Sequence, residues 1–219
     1  MCAAYLQGNC QTTDWANTAR YAGENEKLSD PAPGEKRVVF MGNSITEGWK
    51  MADSAFFAGR PYICRGISGQ TTPQMLIRFR PDVIALKPAV VVILAGINDI
   101  AENTGPITME AIFGNIVSMV QLAQANKIKP VMCSVLPANR FPWRPSIMPA
   151  DKVIALNKML KDYAVQHNIV YVDYYSTMVD QEKGLPKKYA EDGIHPTLEG
   201  YKVMEVLVEK GIREAWEKK

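Results

Sequence analysis

Five short apolar runs rich in β-branched residues recur along the chain, at residues 38–41, 62–64, 90–94, 130–135 and 170–172, with longer stretches between them. Each run is continuous and does not alternate apolar with polar, the pattern of strands covered on both faces. Helical spacing marks residues 73–86, 109–126, 149–167 and a last helix from Pro196 or Thr197 to about Trp216. Strands that alternate with helices of this length make βαβ units, whose crossovers leave neighbouring strands parallel. The chain is therefore expected to form a three-layer α/β/α sandwich around a mostly parallel five-stranded sheet, a flavodoxin-like arrangement. Ahead of the first strand, Asp14 before Trp15-Ala16-Asn17 reads as a helix start, and the spacing of Trp15, Ala19 and Ala22 carries that helix to about Leu28. Pro31, Pro33 and Gly34 end it, so residues 1–34 read as an N-terminal helix and irregular extension of a single domain covering 1–219.

A chain of 219 residues with 47% apolar and 22% charged residues is an ordinary globular sequence, without linker or repeat. Its net charge of +2 leaves no nucleic-acid footprint. The longest apolar run, residues 89–97, is less than half of the ~20 residues that a membrane-spanning helix needs, so no membrane insertion is expected. No Cys/His cluster has zinc spacing, and no metal is implied. Cys133 falls in a strand-like run and Cys64 just before a turn, while a Cys2–Cys10 bridge is left open. The N-terminus lacks the basic and apolar regions of a signal peptide, which fits a cytoplasmic protein or the trimmed form of a periplasmic or secreted one. The oligomeric state stays open.

Chemistry concentrates in four turn segments beside the apolar runs. They are Gly42-Asn43-Ser44-Ile45-Thr46, Gly66-Ile67-Ser68-Gly69, Gly96-Ile97-Asn98-Asp99 and Asp192-Gly193-Ile194-His195-Pro196. Ser44 follows the first strand at a helix start, where a nucleophile would meet the helix's positive end. Of the two histidines, His167 sits at a helix end, and His195 has Asp192 three residues upstream to hold its tautomer. Asp173, at the end of the fifth strand, is the rival acid, its other role being to cap the next helix. Asn98 follows the third strand and offers a side-chain amide to an oxyanion, while Asp99 is expected to hold that loop through backbone bonds. Neither serine turn is the Gly-x-Ser-x-Gly elbow of α/β-hydrolases, which makes Ser68 a loop hydroxyl.

In this order the segments resemble the four blocks of the SGNH hydrolase superfamily, the GDSL-type esterases, over about residues 38–201. The family's first block usually reads Gly-Asp-Ser, and here position 43 is Asn. The resemblance implies that Gly69 is the second-block glycine, donating its backbone N–H to the oxyanion beside Ser44 N–H and Asn98. It implies a serine esterase with Ser44 as nucleophile, His195 as base and Asp192 as acid, and it calls for no cofactor. The partner expected is a small-molecule ester. The proline-rich loop 136–149 follows the fourth strand and carries Asn139, Arg140, Phe141, Trp143 and Arg144, of which Arg140, Phe141, Trp143 and Arg144 are candidate substrate contacts by stacking on a sugar or meeting an anion. Without an apolar tunnel in view, short acyl groups, acetyl above all, on a carbohydrate or small alcohol are favoured. A lysophospholipase or acyl-thioesterase is the alternative, and a non-catalytic ligand-binding relative stands further off.

Overall fold

In the computed structural model, which describes residues 14–218, the five strands are β1 Val38–Gly42, β2 Tyr62–Gly66, β3 Val90–Leu94, β4 Lys129–Cys133 and β5 Val170–Val172. All neighbours are parallel, in the order β2-β1-β3-β4-β5, with Val38 opposite both Tyr62 and Val90. The helices are α1 Ala22–Glu26, α2 Ser44–Ala52, α3 Ser54–Phe57, α4 Thr72–Asp82, α5 Ile97–Ile100, α6 Met109–Ala125, α7 Ala150–Gln166, α8 Tyr174–Met178 and α9 Leu198–Glu217. α2, α3 and α9 pack on one face of the sheet and α4, α6 and α7 on the other. Every residue of β1 and β3 is buried between these layers, which is why their sequences carry no polar alternation.

The chain leaves β1 toward β2 at one edge, and the next connection returns to β3 on the other side of β1. This reversal of direction opens a crevice beyond the C-terminal ends of the strands, where ligands bind in open α/β sheets. The turns after β1, β2 and β3 all end there.

Several boundaries depart from expectation. The N-terminal helix expected over residues 14–28 is a 3₁₀ turn, Thr18–Tyr21, followed by the short α1, because Asn17 sits in the left-handed region at φ 51° and breaks any continuous helix before it. The helix expected over 73–86 runs from Thr72 to Asp82 with Pro81 in its last turn, and Val83, at φ −128° and ψ −65°, leaves helical geometry before a 3₁₀ turn, Ile84–Leu86. β4 stops at Cys133, short of Val135, since the Asn157 side chain takes over Val135 N–H at 2.7 Å and Val135 C=O at 2.9 Å. Pro196 lies just outside α9, whose N-cap is Thr197. Cys2 and Cys10 lie outside the described residues. Cys64 and Cys133 are buried free thiols. Among the described residues no helix is long and apolar enough to cross a membrane, and no cluster of acidic, Cys or His side chains could hold a metal.

Candidate active site

β1 ends at Gly42, and two residues later Ser44 opens α2. Glycine is required at 42 by close approach, since a Cβ would lie 1.9 Å from Thr46 Oγ1 and 3.1 Å from the Leu94 carbonyl. Asn43 caps α2, its Oδ1 accepting from Ile45 N–H at 3.2 Å. With 1% exposure it performs this role without placing a charge at a buried position, where the family's usual Asp would place one.

Ser44 Oγ lies 3.0 Å from His195 Nε2, although 151 residues separate them. His195 Nδ1 is 2.7 Å from Asp192 Oδ2, and Asp192 Oδ1 accepts the N–H groups of Ile194 and His195, each at 2.8 Å. With the carboxylate at Nδ1 the ring proton resides there, and Nε2 turns its lone pair toward the serine hydroxyl. Partial burial pushes the Asp192 carboxyl up, but hydrogen bonds from the His195 ring and from two main-chain N–H groups outweigh it and hold the group below its ordinary value. The two halves of this relay are joined by α2 and α9. Tyr201 donates its hydroxyl to Ile45 C=O at 2.8 Å, its ring stacks on Trp49 at 5.5 Å, and Trp49 Nε1 donates to Glu205 at 3.2 Å.

Gly69 has φ +78°, and a Cβ there would meet open space, so glycine is set by backbone conformation and not by crowding. Asn98 is 4% exposed and spends one amide hydrogen on Gln70 C=O at 3.0 Å, leaving its second for a ligand oxygen. Asp99 takes Thr72 N–H at 2.9 and 3.0 Å and Thr72 Oγ1–H at 2.6 Å, tying this turn to the start of α4. Burial without a cation partner pushes its carboxyl up to about 6. Asp173 is occupied at the head of α8, accepting Ser176 N–H and Oγ–H at 2.9 Å each. His167 Nδ1–H donates to Tyr163 C=O, 2.9 Å away at the end of α7, and Ser68 gives both its N–H and its hydroxyl to Glu47.

The loop 136–149 corrects one expectation. Phe141 has 0% exposure and belongs to the core, lying under the Trp143 ring at 5.2 Å, so it contacts no substrate. Trp143 is half-exposed, its ring 6.4 Å from the His195 imidazole, and its Nε1 donates to Asn103 Oδ1 at 3.3 Å. Arg144 lies 3.9 Å from Glu102, while Arg140 faces a separate cavity of about 440 Å³ beside Gly193. A cavity of about 310 Å³ holds Ser44 and His195 and is walled by Gly48, Met51, Ala52 and Tyr201. Sequence reasoning did not reach Gln70, Arg78 and Glu47, which hold the oxyanion-side loop. Arg78, four residues before Asp82 at helical spacing, was the signal available for this group.

The chain belongs to the GDSL-like lipase/acylhydrolase family, whose profile matches residues 40–203, and thus to the SGNH hydrolases. It is 55% identical to a candidate acylhydrolase of Bacteroides fragilis, with a TM-score of 0.91 over 92% of this chain and 98% of the other. A GDSL-like lipase of Bacteroides thetaiotaomicron is 53% identical, with a TM-score of 0.89 over 91% and 98% of the two chains. An acetylxylan esterase of Xylanibacter ruminicola is 26% identical over 84% of this chain and 45% of its own length. The chain spans about half the length of the curated relatives it matches. The family and these relatives are named for lipase, acylhydrolase or esterase activity.

Proposed function

We propose that the chain removes short acyl groups, acetyl above all, from a carbohydrate or other small alcohol through an acyl-enzyme on Ser44. The observation that carries this reading is the unbroken relay from Ser44 Oγ through His195 to Asp192. His195 Nε2 takes the serine proton as Oγ attacks the ester carbonyl, and Asp192 stabilises the imidazolium that forms. The Ser44 and Gly69 N–H groups and the free Asn98 amide hydrogen bind the oxyanion. The imidazolium then gives its proton to the departing alcohol, and a water activated by the same base releases the acid.

The small cavity beside Ser44, with Tyr201 against Gly48 at its wall, supports a short acyl group. The half-exposed Trp143 ring beside His195 supports a sugar on the alcohol side, with Arg140 and Arg144 as outlying contacts. The resemblance to an acetylxylan esterase points the same way. Met51, 79% exposed on the cavity rim, favours the second reading, a lysophospholipase or thioesterase whose longer acyl chain would run along it. A p-nitrophenyl ester series from acetate to decanoate, run beside acetylated sugars and lysophospholipids, separates the two. An open apolar path would improve kcat/KM by about fourfold per methylene, the equivalent of ~0.8 kcal/mol. The short-acyl reading instead predicts a steep fall beyond butyrate, and rates climbing through octanoate would reject it.

A further inference from the structure

The family match begins at residue 40, inside β1, yet residues 14–28 reach across to the loop that carries Gly69. Gln74 Nε2 donates to Trp15 C=O at 2.7 Å, and Gln70 Nε2 donates to Ala16 C=O at 2.6 Å. Tyr21, buried and with the Arg65 guanidinium over its ring, donates its hydroxyl to Gly66 C=O. Arg20 meets Glu47 at 3.4 Å, and Glu47 accepts Ser68 N–H at 2.9 Å. Three positions along residues 66–74 are thus held from one side by a segment outside the sheet and its flanking helices, and a fourth, Ser68, is reached through Glu47 of α2.

Gln70 is where these contacts meet the chemistry. Its side chain, 3% exposed, bonds Ala16 with its amide and accepts Arg78 Nε with its carbonyl, while its main-chain carbonyl accepts the Asn98 amide at 3.0 Å. Arg78, with no exposed surface, also donates to Gly42 C=O at 2.9 Å, two residues before Ser44, and to Asp82 at 2.9 Å. Asp82 in turn accepts from Asn25 at 2.9 Å, which closes the circuit back to α1. The loop's own main chain supplies little restraint: Ile67 N–H reaches Gly42 C=O at 3.2 Å and Gln70 N–H reaches Ile67 C=O at 3.3 Å, beside a glycine at φ +78°. An oxyanion donor works only within about 2.7–3.1 Å of the charge it meets, so a soft loop needs external support to hold that distance.

We propose that residues 14–26 are a brace that fixes the Gly69 N–H and the Asn98 amide relative to Ser44, with Gln70 as the positioning residue that relays it. This rests on Gly69 and Asn98 being the oxyanion donors. Two variants test it: Gln70→Met, which keeps side-chain length and removes both side-chain bonds, and Tyr21→Phe, which removes a single hydroxyl. Each is assayed for p-nitrophenyl acetate hydrolysis at 25 °C, alone and combined with Asn98→Ala, beside its thermal midpoint. Gln70→Met is expected to lower kcat by about 10- to 100-fold, less than loss of a whole donor, with KM little changed. Tyr21→Phe should lower it by several-fold. Because Gln70 acts through Asn98, Gln70→Met and Asn98→Ala together should cost clearly less than the product of their separate effects. Should Gln70→Met not fold, Tyr21→Phe decides alone. Wild-type kcat in both variants, or in Tyr21→Phe alone, would overturn the brace and leave the segment a stability element even if the thermal midpoints fall. Fully multiplicative effects would overturn the relay. A slow Asn98→Ala beside fast brace variants sinks only the brace, whereas a fast Asn98→Ala sinks the oxyanion assignment on which it rests.

Discussion

Replacing Asn98 by alanine should separate catalysis from stability at one position. Its amide has two hydrogens with different tasks, one on the buried Gln70 carbonyl at 3.0 Å and one free for the oxyanion. Losing the second should cost on the order of 10²–10³ in kcat, equivalent to about 2.7–4 kcal/mol in the transition state, with little change in KM. Losing the first strands a buried carbonyl, at about 1–3 kcal/mol. For a chain of this size that penalty lowers the thermal midpoint by roughly 2–12 °C, at about 2–4 °C per kcal/mol. Asn98→Asp should be slower still, because a carboxylate would face both the Gln70 carbonyl and the developing negative charge. Steady-state kinetics on p-nitrophenyl acetate and a thermal melt give both quantities from the same preparations. A raised KM with unchanged kcat would refute the reasoning, since it would place Asn98 in ground-state binding.

Asp192→Asn should leave a folded protein with kcat reduced by about 10⁴-fold through the wrong imidazole tautomer, while Asp173→Ala should cost only a helix cap, about 1 kcal/mol in urea unfolding with normal turnover; slower hydrolysis by the Asp173 variant would reverse the two. Asp99 keeps its proton up to about 6 in the folded chain against 3.8 ordinarily, so the folded state binds the extra proton between those values and stability falls as pH rises through them, by about 3 kcal/mol. Asp99→Asn should remove that decline, and parallel urea-unfolding curves for the two proteins across that window would contradict it. Trp143→Ala should raise KM for acetylated sugars about tenfold with kcat little changed, as expected for loss of a ~1–1.5 kcal/mol ring contact; unaltered KM would remove the indole from the alcohol site.

The sheet could be read from the sequence because a doubly covered strand must be apolar throughout, and Val38 to Met41 and Val90 to Leu94 have no other stable use. Ser44, Asn98 and His195 stood out as candidates because each lies just after a strand or just before a helix, in a segment whose sequence signals a turn. Failures came where distant contacts decide. Phe141 looks like a loop aromatic until the core beneath Trp143 claims it, and Asn17 breaks a helix that its neighbours' spacing favours. α3, α5 and α8 are only four or five residues long, too short for any periodicity to register. Gln70 escaped notice because its role depends on Ala16, Arg78 and Asn98 at once, three partners that only the folded chain brings to it.

The most direct test of the account is intact-mass and peptide analysis after treatment with a fluorophosphonate. The wild-type chain should gain one adduct, located on Ser44, with loss of ester hydrolysis in step with labelling. The Ser44→Ala variant should gain none and should not turn over. An adduct on another residue, or a Ser44→Ala protein that hydrolyses p-nitrophenyl acetate at the wild-type rate, would contradict the assignment of Ser44 as the nucleophile.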